Sequence, residues 1–200
     1  MPSPVGHALG GVIAGWLVQR PAVRAGTSAV GIARSVADAR PAGSPLRRQT
    51  ALLATLGMAA DADFLFGTHS TYSHSIGAVG VVFLVALVAG RRSAAQPIRT
   101  ALAAAAAYGT HVLFDWLGSD TSLPIGIMAL WPFSDGFHQS GLHVFDAISR
   151  RYWLPGFWAH NLLAVAREVL ILVPVLLVVW RTRGNTARVD GKAKAAANVA

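Results

Sequence analysis

The 200-residue chain contains no cysteine. That excludes a disulfide scaffold, a thiolate metal site and a cysteine nucleophile. Charge is scarce as well: Asp, Glu, Lys and Arg together make 13% of the residues, about half the share of an average soluble chain. No positive charge precedes the first apolar run, so a cleavable secretory signal is not expected. Strict alternation of apolar and polar residues is missing, which argues against half-buried strands. What the chain has instead is apolar mass, with 54% hydrophobic residues, enough to argue against disorder.

That mass lies in five stretches, residues 5–18, 50–60, 75–89, 100–118 and 159–180. Their Ala/Leu content and length predict helices, with a kink at Pro174 in the last. The expected fold is all-α, about five main helices in a membrane-embedded bundle. A bilayer span needs roughly 20 apolar residues, so the last stretch qualifies and the fourth nearly does. Residues 1–182 are expected to form one helical membrane domain. Within it, 19–49 is read as a basic loop rich in Arg, Pro and Gly, and 119–158 as a long loop near the site that holds short helices. Residues 183–200 are read as a disordered basic tail.

The net charge is +8, from 17 basic against 9 acidic residues. If consecutive helices run antiparallel, as short connections favour, 14 of those 17 basic residues fall at one end of the bundle. The other end collects His7, Asp61, Asp63, His69, His74, His111, Asp115, Asp120, Asp135, His138, His143 and Asp146, with Arg150 and Arg151. By the positive-inside rule the Arg end is cytoplasmic, which puts the His/Asp end on the periplasmic or outer side. The expected location is therefore a multi-pass position in a bacterial inner membrane. The basic residues have no interleaved aromatics, so nucleic acid is not an expected partner.

The polar end has metal-ligating chemistry. His111 and Asp115 stand four apart, on one helical face. Asp61 and Asp63 are close enough in sequence to repel each other unless a cation or solvent relieves them. His69 and His74 lie just before an apolar helix that Ser73 or Ser75 caps. His7 lies inside the first apolar run. Each signal is weak by itself, but three groups from different parts of the chain map to one end of one bundle. Nitrogen and oxygen ligands without thiolate fit catalytic zinc, or manganese or iron, better than structural zinc. One or two divalent ions are expected, zinc first.

In order, the segments PVGHALGG, DAD, HSTYSHS, HVLFDW and LPIGIMALWPFS resemble a bacterial inner-membrane family of metal-dependent hydrolases. The match runs from about residue 4 to 134. The family pattern is Pro-Asp-x-Asp, His-Arg-Gly-x-Thr-His-Ser, His-x-x-x-Asp and Gly-Val-x-x-x-Trp-Pro-Phe. The resemblance implies His7, Asp61, Asp63, His69, His74, His111 and Asp115 as metal ligands, with Trp131, Pro132 and Phe133 shaping the mouth of the site. Three departures stand out: Ala60 replaces Pro, Ser70-Thr71 replaces Arg-Gly, and Ser73 replaces Thr. The missing Arg removes a phosphate clamp, for which Arg150 or Arg151 is the candidate substitute. The His/Asp pattern is also similar to that of zinc-dependent phospholipase C, but no His-x-x-x-Glu is present. His138 and His143 are further candidates, read first as loop histidines.

The function expected from all this is a membrane-bound hydrolase that cleaves a small-molecule or lipid phosphoester with metal-activated water. Asp63 and His74 are the expected catalytic residues, with Asp63 or Asp61 as bridging ligand or general base. A transporter with an intramembrane His/Asp site, or a non-catalytic structural protein, is the alternative.

Overall fold

The computed structural model describes residues 1–19, 45–66, 69–92 and 94–197. Five helices run in chain order: α1 (Pro4–Val18), α2 (Pro45–Met58), α3 (Ile76–Gly90), α4 (Pro97–Leu117) and α5 (Phe157–Ala197). Among the described residues there are no strands, so the all-α expectation holds. Local sequence explains most helix starts. Ser3 caps α1 by accepting the Gly6 N–H at 3.2 Å, and Pro4 fills its first turn. Ser75, rather than Ser73, caps α3, accepting the Ala78 N–H at 3.1 Å.

The bundle closes around α1 and α4. The alanine-rich face of α4 buries Ala101, Ala103, Ala104, Ala105 and Ala107, and its small side chains let α1, α2 and α3 come close. One apolar cluster joins Val12, Leu53, Ala103 and Ala107; a second joins Ile13, Phe145, Leu172 and Val179. Where α1 crosses α2 the backbones nearly touch. A Cβ on Gly57 would lie 2.3 Å from the His7 carbonyl oxygen, and one on Gly11 would lie 2.5 Å from that of Leu53.

Three expectations about the chain between the helices need correction. The helix expected from Thr50 begins at Pro45; the rest of the expected 19–49 loop, from residue 20 to 44, lies outside the described residues. The 119–158 segment contains no helix as far as Gly156. Gly126, Gly141 and Gly156 take positive φ there, and side chains satisfy its backbone locally, as Asp120 does for Ser122 and Gly126. Two isolated bridges, Gly118 with Phe145 and Ile127 with His138, fold it over the end of the bundle. The tail expected to be disordered instead continues α5 to Ala197. Its Ala and Lys content favours helix, and no proline interrupts it.

The apolar section of α5, Phe157–Arg183, is 27 residues long. At 1.5 Å per residue it reaches roughly 40 Å, enough to cross a bilayer. Leu162, Leu163 and Leu170 on α5 and Val81, Leu84 and Val85 on α3 are exposed. Pro174 lies inside α5, which runs through it as one helix.

Gly57→Ala is expected to force α1 and α2 apart. The expected loss is about 1–3 kcal/mol, as for other overpacked contacts, read as a lower midpoint of thermal unfolding in detergent.

Candidate metal centre

The turn after α2 determines half of the centre. The helix tightens into a 3-10 segment at Ala59–Phe66, which carries Asp61 and Asp63 over the end of the bundle. A second short 3-10 turn, Tyr72–His74, places His74 just ahead of α3. The other half comes from two long helices, with His7 in the second turn of α1 and His111 and Asp115 in the last turns of α4. All seven residues expected as ligands belong to one connected cluster.

Asp115 lies at its middle. Its oxygens are 3.3 Å from His7 Nε2, 3.2 Å from His74 Nε2 and 3.2 Å from His111 Nε2. His74 Nε2 and His111 Nε2 are themselves 3.2 Å apart, and Asp61 Oδ1 is 3.7 Å and 3.5 Å from them. Asp63 closes the outer side, with Oδ1 3.1 Å from His69 Nδ1 and Oδ2 3.1 Å from His74 Nδ1. His7, His74 and His111 are buried, while Asp61 keeps 28% of its side chain exposed and His69 keeps 20%.

Neighbouring groups hold the rings in place. His111 Nδ1 donates to the Gly57 carbonyl at 2.8 Å, which turns Nε2 toward Asp115 and Asp61. The His7 and His111 rings stack at 3.7 Å with 14° between planes. Ser73 donates to Asp63 Oδ2 at 2.7 Å and lies 2.9 Å from His74 Nδ1, while Tyr108 donates to the Ser73 carbonyl at 2.7 Å.

The electrostatics call for a cation. Burial works to raise the Asp61 carboxyl, but hydrogen bonds from His111 and His74 outweigh it and hold the group below the ordinary carboxylate range. Burial likewise opposes ionisation of Asp63, and His74, Ser73 and His69 overcome it. Burial alone would strip the proton from His74, yet Asp115, Asp61 and Asp63 push its pKa up to about 11. Three carboxylates thus draw positive charge into a small buried volume, and a divalent ion meets the same demand. Both Asp115 oxygens are buried without a well-directed hydrogen bond, although three imidazole nitrogens surround them. A buried carboxylate left in that state is costly, and a metal ion relieves it. Two sets of donor atoms lie within 4.8 Å of one another: His7, His111 and Asp115, and Asp61, His69 and His74. The residues therefore fit one or two ions with nitrogen and oxygen ligands.

A cleft of about 900 Å³ opens beside the cluster, reached by Asp61 and His69 and walled by the loops 119–124 and 146–157. Trp131, Pro132 and Phe133 are not among its walls, contrary to expectation. Trp131 packs instead on Gly77 at the start of α3 and edge-on against Tyr72 at 5.4 Å. The His138 N–H donates to the Ile127 carbonyl, and the His143 carbonyl accepts from Arg167; neither imidazole joins the cluster. Arg150 does reach the site, with a guanidinium nitrogen 3.4 Å from His69 Nε2.

One group escaped the sequence pattern. Glu168, fully buried in α5, accepts the Ser3 N–H at 2.6 Å and the Ser3 hydroxyl. It thereby fastens the start of α1, one turn before His7, to α5. Its signal is its isolation, as the lone acid in the apolar part of the last helix.

The fold and the cluster define a helical bundle with a buried His/Asp centre at one end, fit to hold a divalent ion. A sequence profile of the YdjM inner membrane protein family matches residues 1–187. The chain belongs to that family and is a bacterial inner-membrane protein. No curated protein and no solved structure matches it.

Glu168→Ala strips two buried donors on Ser3 of their acceptor. The expected cost is about 1–3 kcal/mol in thermal unfolding of the detergent-purified protein, with a smaller loss for Glu168→Gln, which keeps one acceptor oxygen.

Proposed function

We propose that the protein is a multi-pass, metal-dependent hydrolase of phosphoesters, with its centre at the periplasmic face of the inner membrane. The observation that carries this reading is the Asp115 carboxylate, buried among three imidazole nitrogens at 3.2–3.3 Å beside an open cleft. Carboxylates and imidazoles without thiolate suit zinc in a catalytic role, with manganese or iron as alternatives. Clustering at helix ends, rather than through the depth of the bundle, favours a hydrolase over a transport path. The proposed orientation rests on charge: Arg91, Arg92 and Arg99 lie at the ends of α3 and α4 opposite the cluster, and Arg181 at the end of the apolar section of α5. The exposed apolar side chains of α3 and α5 support lipid contact by more than one helix.

His7, His111 and Asp115 would hold one ion, and Asp61, His69 and His74 the neighbouring one. A bound ion supplies a water acidified toward neutrality and polarises the scissile group. Of the cluster's carboxylates Asp61 is the one that lines the cleft, so it is placed to take the proton of an attacking water. Asp63 spends its oxygens on Ser73, His69 and His74, and so orients both rings. His74 is fully buried and His69 part-exposed in the cleft, so of the two imidazoles proposed for that ion His69 is the one nearer an incoming substrate.

His111→Ala and Asp115→Ala are each expected to abolish bound metal and turnover together. Elemental analysis of detergent-purified protein, beside a phosphatase and phosphodiesterase panel, measures both. Stoichiometric metal retained in Asp115→Ala would sink the assignment. Metal content is also expected to fall on acidification, because the imidazoles ligate only when neutral.

A further inference from the structure

The cleft beside the centre has two arginines, Arg150 and Arg151, that the ligand set does not use. Arg150 lies in its wall, with its guanidinium 4.1 Å from the centroid of the Phe64 ring. Phe64 in turn stacks on His69 at 3.7 Å, so guanidinium, phenyl and imidazole form a layered edge to the centre. A guanidinium nitrogen of Arg150 lies 3.4 Å from His69 Nε2. Among the described residues no carboxylate pairs with Arg150, whereas Arg167 is held by Asp146 at 2.7 Å. A guanidinium fixed by ring stacking and unneutralised by the protein presents donors to an anion, and its planar fork suits phosphate oxygens.

The same cleft has an apolar rim. Leu123 and Leu154 line it and are themselves exposed. Tyr152, Trp153 and Trp158 follow at 75%, 66% and 75% exposure, directly at the start of the apolar section of α5. Exposed Tyr and Trp at the end of a spanning helix mark the headgroup level of a bilayer. The cleft therefore opens beside the membrane surface, with the Arg150 cation in its wall beside His69 and apolar residues at the edge.

We propose that Arg150 binds the phosphate of a membrane lipid, whose headgroup enters the cleft from the bilayer surface past Leu154 and the Tyr152–Trp153 edge. The chemical class is a lipid-borne phosphoester. Placed beside His69, its phosphorus would lie next to the metal-ligating residues, so the proposal rests on the hydrolase reading for its chemistry but not for its binding.

Calorimetric titration of the full-length protein in detergent tests this with three probes: dioctanoyl phosphatidic acid, glycerol 3-phosphate and dioctanoylglycerol. Phosphatidic acid is expected to bind tightest. Arg150→Gln is expected to weaken it roughly 10- to 100-fold, as for a charged hydrogen bond left unmade, with an intermediate loss in Arg150→Lys. Dioctanoylglycerol, which lacks the phosphate, is expected to bind weakly and to be indifferent to both substitutions. Equal binding of phosphatidic acid by Arg150→Gln and the unmodified protein overturns the proposal. Glycerol 3-phosphate binding as tightly as the lipid overturns its membrane source. Metal content and turnover measured on the same samples keep the two readings apart. Arg150-dependent lipid binding without metal or turnover removes the hydrolase and leaves the lipid site; metal and turnover with Arg150-independent binding do the reverse.

Discussion

Everything at the polar end of this protein depends on one buried carboxylate. Asp115 is 2% exposed and faces three imidazoles, so its charge must be met inside the protein. Transfer of an isolated carboxylate to an apolar interior costs far more than any single packing contact returns. The ring of His7, His74 and His111 is the answer, and each member reaches Asp115 from a different part of the fold. The two helices, the two short turns and the capping residues are arranged so that those Nε2 atoms converge.

Convergence at that scale requires helices closer than ordinary side chains allow. Gly11 and Gly57 let α1 and α2 meet backbone to backbone, and the alanines of α4 bring it against both. Gly57 serves twice, since its carbonyl also fixes the His111 tautomer. Glu168 fastens the start of α1 from the far side, so the long apolar helix α5 takes part in placing His7.

Much of the centre is legible in the amino-acid sequence. The i, i+4 spacing of His111 and Asp115 and the Asp61/Asp63 and His69/His74 pairs place ligands at one end, because helix periodicity and short connections constrain where ends fall. The loop from 119 to 156 is not legible in this way. Its course depends on Gly conformations and on polar side chains closing local turns, which follow no period. Hence Trp131, expected at the mouth, packs on α3, while Arg150, one candidate among two, arrives over Phe64. Basic composition misleads at the C-terminus, where helix-favouring Ala and Lys continue α5.

By itself the sequence determined the helical class, the scarcity of charge, the segregation of Arg from His and Asp, and the identity of the seven clustered residues. The first three follow from periodicity and composition, which act locally along the chain; the set of seven is what the spacing of the motifs and their family resemblance imply. Only the tertiary structure decided that Asp115 rather than Asp63 is the hub, that Glu168 and Ser73 hold the centre in place, and that Arg150 stands at the cleft. Those outcomes depend on distances between segments far apart in the chain, and close packing, not local preference, sets them.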